Sequence, residues 1–188
     1  MRSFIRDFID TIKAIEEDRK ELSKKDPSIE KVYQIFLHTG FQALVLHRLS
    51  HLFYKYDLKF LAFLVHYISK ILFSADISPA AYIEPGVVID HAIGVVIGST
   101  ATVRTGTLIY HGVTLGARNI QKGKRHPDIG KNVLIGAGAK ILGPVKIGDD
   151  ARIGANSVVL ADIPSGTTFV GVPAKNVYEK IEKIEWII

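Results

Sequence analysis

The sequence has no cysteine, no run of residues long and apolar enough to cross a membrane, no dense block of one charge, and a single glycine, Gly40, in its first 74 positions. Each absence excludes something. Without cysteine there are no disulfides and no thiolate metal sites, which is compatible with a reducing compartment. The longest apolar stretch, LKFLAFLVHYISKILF at 58–73, is interrupted by Lys59, His66 and Lys70, so it predicts a buried helix rather than a membrane span. The opening MRSFIRDFIDTIKAIEEDRKEL mixes acids into its apolar face and predicts neither a signal nor a transit peptide. The expected setting is cytoplasmic. A net charge of +5 comes without the basic run and interleaved aromatics of a nucleic-acid surface, so no nucleic-acid partner is expected.

What is present divides the chain in two. With 47% apolar and 23% charged residues, it can build a packed core. Residues 1–74 carry a helical period: Phe4, Phe8, Ile12 and Ile15 recur three and four apart with charges between. Asp26-Pro27 breaks that helix, and Asp26 or Ser28 is placed to cap a second one running through VYQIFLHTGFQALVLHRLSHLFYKY. Lys55 to Leu58 reads as the turn into the apolar helix.

From Ile77 the period becomes six. Ile77, Ile83, Ile89 and Val95 form one series, and Ile97, Val103, Ile109 and Leu115 a second. Ile129, Ile135, Ile141, Ile147, Ile153 and Val159 form a third, with small residues following many of the aliphatic ones. Neither a helix nor an alternating strand explains this; a short unit stacked many times does. Each hexad makes one side of a triangular coil, its aliphatic residue points inward, and the small residues allow the corner. The expected fold class is therefore α+β: a helical domain at 1–74, a parallel β-helix at 75–177, and a short tail or helix at 178–188.

Two breaks interrupt the period. The frame slips by two between Val95 and Ile97, and fourteen residues separate Leu115 from Ile129 where six would serve. The excess, within ARNIQKGKRHPD, should loop out from a corner, and loops held by rigid scaffolds are where function concentrates. Of the seven histidines, His38, His47, His51 and His66 fall in the helical half and read as packed or surface residues. His111 occupies a repeat position and reads as structural. His91 and His126 sit at the two breaks.

The run DISPAAYIEPGVVIDHAIGVVIG, then GVTLG, RHPDIG, IGAGAKILG and GVPAK resembles the serine O-acetyltransferases in order and spacing, well over 76–177 and more loosely over 26–75. GVPA alone occurs across hexapeptide acyltransferases; Asp76, the Asp90-His91 pair and Arg125-His126 together are far more specific. The resemblance implies a left-handed β-helix with an extruded loop. It also implies transfer of acetyl from acetyl-CoA to the hydroxyl of L-serine, giving O-acetyl-L-serine, the first step of cysteine biosynthesis. His91 would be the base, since an imidazole can take the hydroxyl proton near neutral pH. Asp76 would hold that ring, as a carboxylate does in a triad. His126 would add a donor near the substrate. Asp90 and Asp26, with Pro27, would meet the ammonium, and Arg125 the carboxylate through its fork; Asp26-Pro27 reads equally as a helix cap. Ala117, Ala137 and Ala155 would line the acetyl-CoA track, with Arg152 near its phosphates, and no metal is implied. GARNIQKGK departs from the family's glycine-rich stretch after VTLG, at the loop base where the thioester would lie.

By the same resemblance the site forms between subunits of a trimer. With only 25 residues ahead of Asp26, a trimer is the expected minimum and a dimer of trimers stays open. The terminal Ile188 would enter the active site of O-acetylserine sulfhydrylase; the alternative is a terminal helix packing Ile181, Ile184 and Trp186. Two other activities stay open on the residues alone. One is acetyl transfer to homoserine or another small hydroxylated acceptor. The other is a zinc hydratase using His91, His111 and His126.

Overall fold

The helical half is four helices, α1 (Arg2–Lys25), α2 (Val32–Leu37), α3 (Thr39–Lys55) and α4 (Lys59–Phe73). They are seen in a computed structural model that describes residues 2–120 and 122–177. The segment 178–188, with Ile181, Ile184, Trp186 and Ile188, lies outside the described residues. Along α1, acid–base pairs such as Glu16–Arg19 (2.7 Å) and Glu17–Lys20 (3.2 Å) link successive turns. Lys24 and Lys25 in its last turn complement the helix dipole. Asp26 then accepts from the N–H (2.9 Å) and hydroxyl (2.6 Å) of Ser28. It shapes the turn and does not cap α2, whose N-cap is Lys31.

Two expectations need correction. The second helix is not continuous, because the chain straightens at His38 (φ −74°, ψ 116°) between α2 and α3. The cause is Gly40, where a Cβ would lie 1.8 Å from the carbonyl oxygen of Ile89. The start of α3 rests directly on the solenoid backbone, and the turn before it must open to allow that approach. The apolar helix α4 is not buried either. Ala62 and Ser69 face inward, whereas Phe60, Phe63, Tyr67, Ile71 and Leu72 are exposed, because no element among the described residues covers them.

Beyond α4 the chain winds through five coils. One face stacks β1 (Asp76–Ile77), β4 (Val96–Ile97), β7 (Thr114–Gly116), β10 (Lys140–Leu142) and β13 (Val158–Val159) in parallel. The second holds β2 (Tyr82–Ile83), β5 (Thr102–Val103), β8 (Asp128–Ile129) and β11 (Lys146–Ile147). The third holds β3 (Val88–Asp90), β6 (Leu108–Tyr110), β9 (Leu134–Ile135), β12 (Arg152–Ile153) and β14 (Thr168–Val170), closed by the antiparallel β15 (Lys175–Asn176). The hexad residues supply the column: Ile97, Leu115 and Ile141 from the first face, Val103 and Ile129 from the second, Ile109 and Ile135 from the third, all essentially inaccessible. Removing such surface from water stabilises by about 25 cal/mol per Å².

Register locates the breaks. Ile89 pairs with Ile109, twenty residues on, and Ile135 with Ile153, eighteen on. The two extra residues of the first coil sit at the corner between β3 and β4, where His91 is. The eight extra of the next leave at the corner between β7 and β8, ahead of His126.

A buried ion pair is among the polar links that fasten helices to solenoid. Asp18 of α1 and Arg48 of α3 form a two-pronged ion pair, both contacts 3.0 Å, with side-chain exposures of 1% and 8%. Arg48 also donates to the carbonyls of Ile83 and Glu84, and Asp18 accepts from the N–H of Gly86 at 2.8 Å. A charge pair at this depth persists because the two groups face each other and further hydrogen bonds satisfy both, four donated by Arg48 in all.

Candidate active site

His91 follows β3 in a left-handed backbone conformation (φ 58°), as do Asn132, Asp150 and Asn156 at other coil corners. The side chain is exposed, and its Nε2 lies 3.5 Å from an Asp90 carboxylate oxygen. Its ring stacks on His38 (centroids 6.2 Å, planes 24° apart) and meets His111 edge-on at 6.2 Å. His38 Nε2 in turn stands 3.7 Å from Asp90 and 3.9 Å from Asp26. Residues from the turn after α1, the start of α3 and the corner after β3 thus converge on one edge. Beside them a cavity of about 110 Å³ is lined by Lys25, Asp26, Pro27, Asp90 and Tyr110, among others.

Asp26 belongs to this cluster. Partial burial works against ionisation, but the Ser28 hydroxyl and N–H, with His38 and His91 nearby, hold its carboxyl below the usual carboxylate range. Asp76 has other partners in this structure. Its carboxylate bonds His66 (2.9 Å) and Lys70 (2.5 Å) of α4. Against the opposing effect of burial, those two partners keep it ionised. Although Asp76 lies on the same edge of the prism, it starts β1 in register with Val96, and α4 packs over it first. The carboxylate within ion-pair reach of His91 is Asp90.

His126 occupies a different edge, between the first and second faces. Its Nδ1 accepts from the N–H of Thr100 (3.2 Å) and lies 2.9 Å from the Thr100 hydroxyl. That hydroxyl already accepts from the N–H groups of Arg125 and His126, both 3.1 Å, so its own proton goes to Nδ1. The ring is therefore fixed as the neutral tautomer with its proton on Nε2. Burial, then Arg125 and Lys124, push its pKa down and keep it so. Gly98 makes room: a Cβ there would fall 2.0 Å from the ring. His126 is thus a donor held ready.

Ala117 shares the His126 edge, whereas Ala137 and Ala155 stack at the His91 edge, joined through Asn156 N–H to the Ala137 carbonyl (2.8 Å). The single alanine track expected from the sequence is thus split across the width of one face. Arg152 is exposed on the third face, on β12. Sequence reading passed over His38 and Thr100. The lone Gly40 in the helical half, two residues after His38, is the signal that could have found the first; nothing in the repeat marks Thr100 apart from other small corner residues. Among the described residues no group of three or more His, Asp or Glu is placed to hold a metal ion, and His126 lies apart from the His91–His111 pair.

An exposed histidine on one corner, a hydrogen-bonded histidine on another and an extruded loop beside it, all on a hexad-repeat solenoid, are features a hexapeptide-repeat acyltransferase would use. Residues 126–161 match the family described as bacterial transferase hexapeptide (six repeats). Over 174 residues the chain is 43% identical to the serine acetyltransferase of Synechococcus elongatus, covering 92% of this chain and 71% of that one. It superposes on the Neisseria gonorrhoeae serine acetyltransferase in complex with serine with a TM-score of 0.87 at 42% identity, over 90% of this chain and 69% of that one. For the Brucella abortus serine acetyltransferase in complex with coenzyme A the TM-score is 0.89 at 38% identity, over 94% and 71%. The chain belongs to the serine acetyltransferase family, and its solenoid is the left-handed β-helix of that family.

Proposed function

We propose that this protein transfers the acetyl group of acetyl-CoA to the hydroxyl of L-serine, and that its active site is completed by two neighbouring subunits. The observation that carries the second half is the placing of His91 and His126 on two edges of one solenoid face. One chain cannot bring both to a single substrate, but the His91 edge of one subunit against the His126 edge of the next can, which supports a homotrimer. The exposed apolar side of α4 is a further surface of the kind that mediates association, compatible with a dimer of trimers. Small molecules in the two superposed structures, serine in one and coenzyme A in the other, support the choice of substrates.

In this reading Asp26 and Asp90 receive the ammonium of serine and Arg125 of the adjoining subunit its carboxylate. His91, oriented by Asp90, takes the hydroxyl proton as the oxygen attacks the thioester carbonyl and the C–O bond forms. The oxyanion that develops is met by the Nε2–H of His126. When the C–S bond breaks, the imidazolium of His91 returns its proton to the departing thiolate, leaving O-acetyl-L-serine and CoA, the entry to cysteine biosynthesis. Acetyl-CoA would cross the face between the two edges, past Ala117 on one side and Ala137 and Ala155 on the other, with Arg152 toward its phosphates. Asp76 acts through α4 in this scheme, tying that helix to the first coil. No helix among the described residues is long and apolar enough to cross a membrane, which fits a cytoplasmic setting. A sulfhydrylase partner for Ile188 rests on the family resemblance.

Measuring CoA release against serine, homoserine and threonine tests the assignment, with serine expected to give the highest kcat/KM. Equal or better turnover of homoserine would overturn the acceptor. A second check is Gly98→Ala, which pushes the His126 ring away from its Thr100 anchor; a misplacement of that size should lower kcat ~10-fold or more, with the thermal melt showing that the solenoid still folds.

A further inference from the structure

His38 has no role in the chemistry above, yet it sits at the centre of the acidic cluster. Its Nδ1 accepts from the N–H of Phe41 (3.4 Å), which leaves the proton of the neutral ring on Nε2. That nitrogen is buried without a hydrogen-bond partner among the described residues, and it points between the carboxylates of Asp90 (3.7 Å) and Asp26 (3.9 Å). Both distances exceed a hydrogen bond, though a shift of less than ~1 Å would make one with either acid. The ring face meanwhile backs the imidazole of His91. Two carboxylates aimed at one place repel each other unless something cationic or proton-donating lies between them.

We propose that His38 is a positioning residue for the amino-acid substrate: neutral, it holds Asp26 and Asp90 toward the point where the ammonium binds, and protonated, it competes with that ammonium. The inference rests on reading Asp26 and Asp90 as the partners of the ammonium. The charged or titratable groups facing His38 are Asp26 from the turn after α1, Asp90 from β3 and His91 from the corner that follows. Burial lowers the pKa of His38, and Asp90 and Asp26 pull the other way without cancelling it. The ring is therefore neutral at pH 7 and gains charge only as the pH falls through that lowered value. Serine affinity should weaken on that acid side, while acetyl-CoA affinity, which involves neither carboxylate, should not.

Two measurements on the full chain test this separately. Nitrogen-15 spectra of the histidine rings should show His38 as the Nε2–H tautomer at neutral pH, with its pKa lowered further in Asp26→Asn and in Asp90→Asn; a pKa indifferent to both changes would refute the bridging role, whatever the substrate. In kinetics, His38→Phe should raise the KM for serine ~10-fold or more, the scale of a lost hydrogen bond to a charged group, with the KM for acetyl-CoA and kcat within about threefold. His38→Gln, which keeps a donor but cannot titrate, should recover most of the serine KM and lose its rise at low pH. An unchanged serine KM in His38→Phe, or a wild-type pH profile in His38→Gln, overturns the proposal. If the wild-type protein acetylates no amino acid, the acceptor assignment fails and the ammonium role with it, while the ring spectra still decide whether His38 bridges the two acids.

Discussion

His91→Ala is expected to lower kcat at least ~100-fold, the lower end of what a positioned general base contributes, with the KM for acetyl-CoA little changed. The side chain is exposed, makes no hydrogen bond that the fold depends on, and sits at a corner whose backbone is already turned by Ile93 and Gly94. Truncation should therefore leave the thermal melt close to wild type. A kcat loss without a stability loss is the signature of chemistry removed. His111→Ala is the control, because His111 touches the same ring edge-on from the next coil but faces neither acid. If both variants lose activity equally, the proton transfer does not run through His91. Asp76→Asn adds a second discrimination. Asp76 spends its oxygens on His66 and Lys70, so its substitution should cost less activity than His91→Ala and should loosen α4; a loss matching His91→Ala would instead show that Asp76 turns toward the base once substrates and the neighbouring subunit are in place.

Asp18→Ala is expected to destabilise the protein by ~3–5 kcal/mol, the usual consequence of leaving one member of a buried ion pair uncompensated. For a chain of this length that corresponds to a fall in Tm of roughly 6–20 °C, read by calorimetry or circular dichroism. The pair is costly to bury: desolvation raises the Asp18 carboxyl above its ordinary range, and the charge and hydrogen bonds of Arg48 only partly offset it. Its value lies in what it joins. Without the carboxylate, the guanidinium keeps its carbonyl acceptors at Ile83 and Glu84 but loses its counter-charge, and the N–H of Gly86 loses its acceptor. Since α1 ends at the turn that carries Asp26, a loosened α1 should also raise the KM for serine. The double change Asp18→Leu with Arg48→Met removes both charges together and should be milder than Asp18→Ala. If it is equally damaging, packing rather than electrostatics holds the helices to the solenoid.

The sequence made some of this visible and hid the rest for identifiable reasons. Ile97, Ile109, Ile129 and Ile135 announce the solenoid because each inward position must be aliphatic, and that demand repeats every six residues regardless of context. Insertions show as slips in the same count, which is why His91 and His126 could be singled out. The break at His38 could not be read this way, since it is imposed on Gly40 by a carbonyl nearly fifty residues further along. Thr100 has the composition of any other corner, and only its two incoming N–H bonds reveal that it sets a tautomer. The exposure of α4 depends on what covers it, which local pattern does not encode. Asp76 shows where spacing stops being informative. Sequence spacing correctly put it on the His91 edge, but a shared edge does not decide between two neighbours, and α4 supplied a cation and an imidazole closer than the corner did.

Because the surplus residues leave at corners, the aliphatic stack keeps its spacing of about 4.8 Å per layer whatever those excursions contain. The prism works as a ruler, and the reactive groups are markers clipped to its rims. Exchanging 92–94 or 117–124 for other stretches, with Asp90, His91, Arg125 and His126 kept, would change which small molecule is gripped without altering the graduations, so new acceptors are reachable by short local replacements on an unchanged frame.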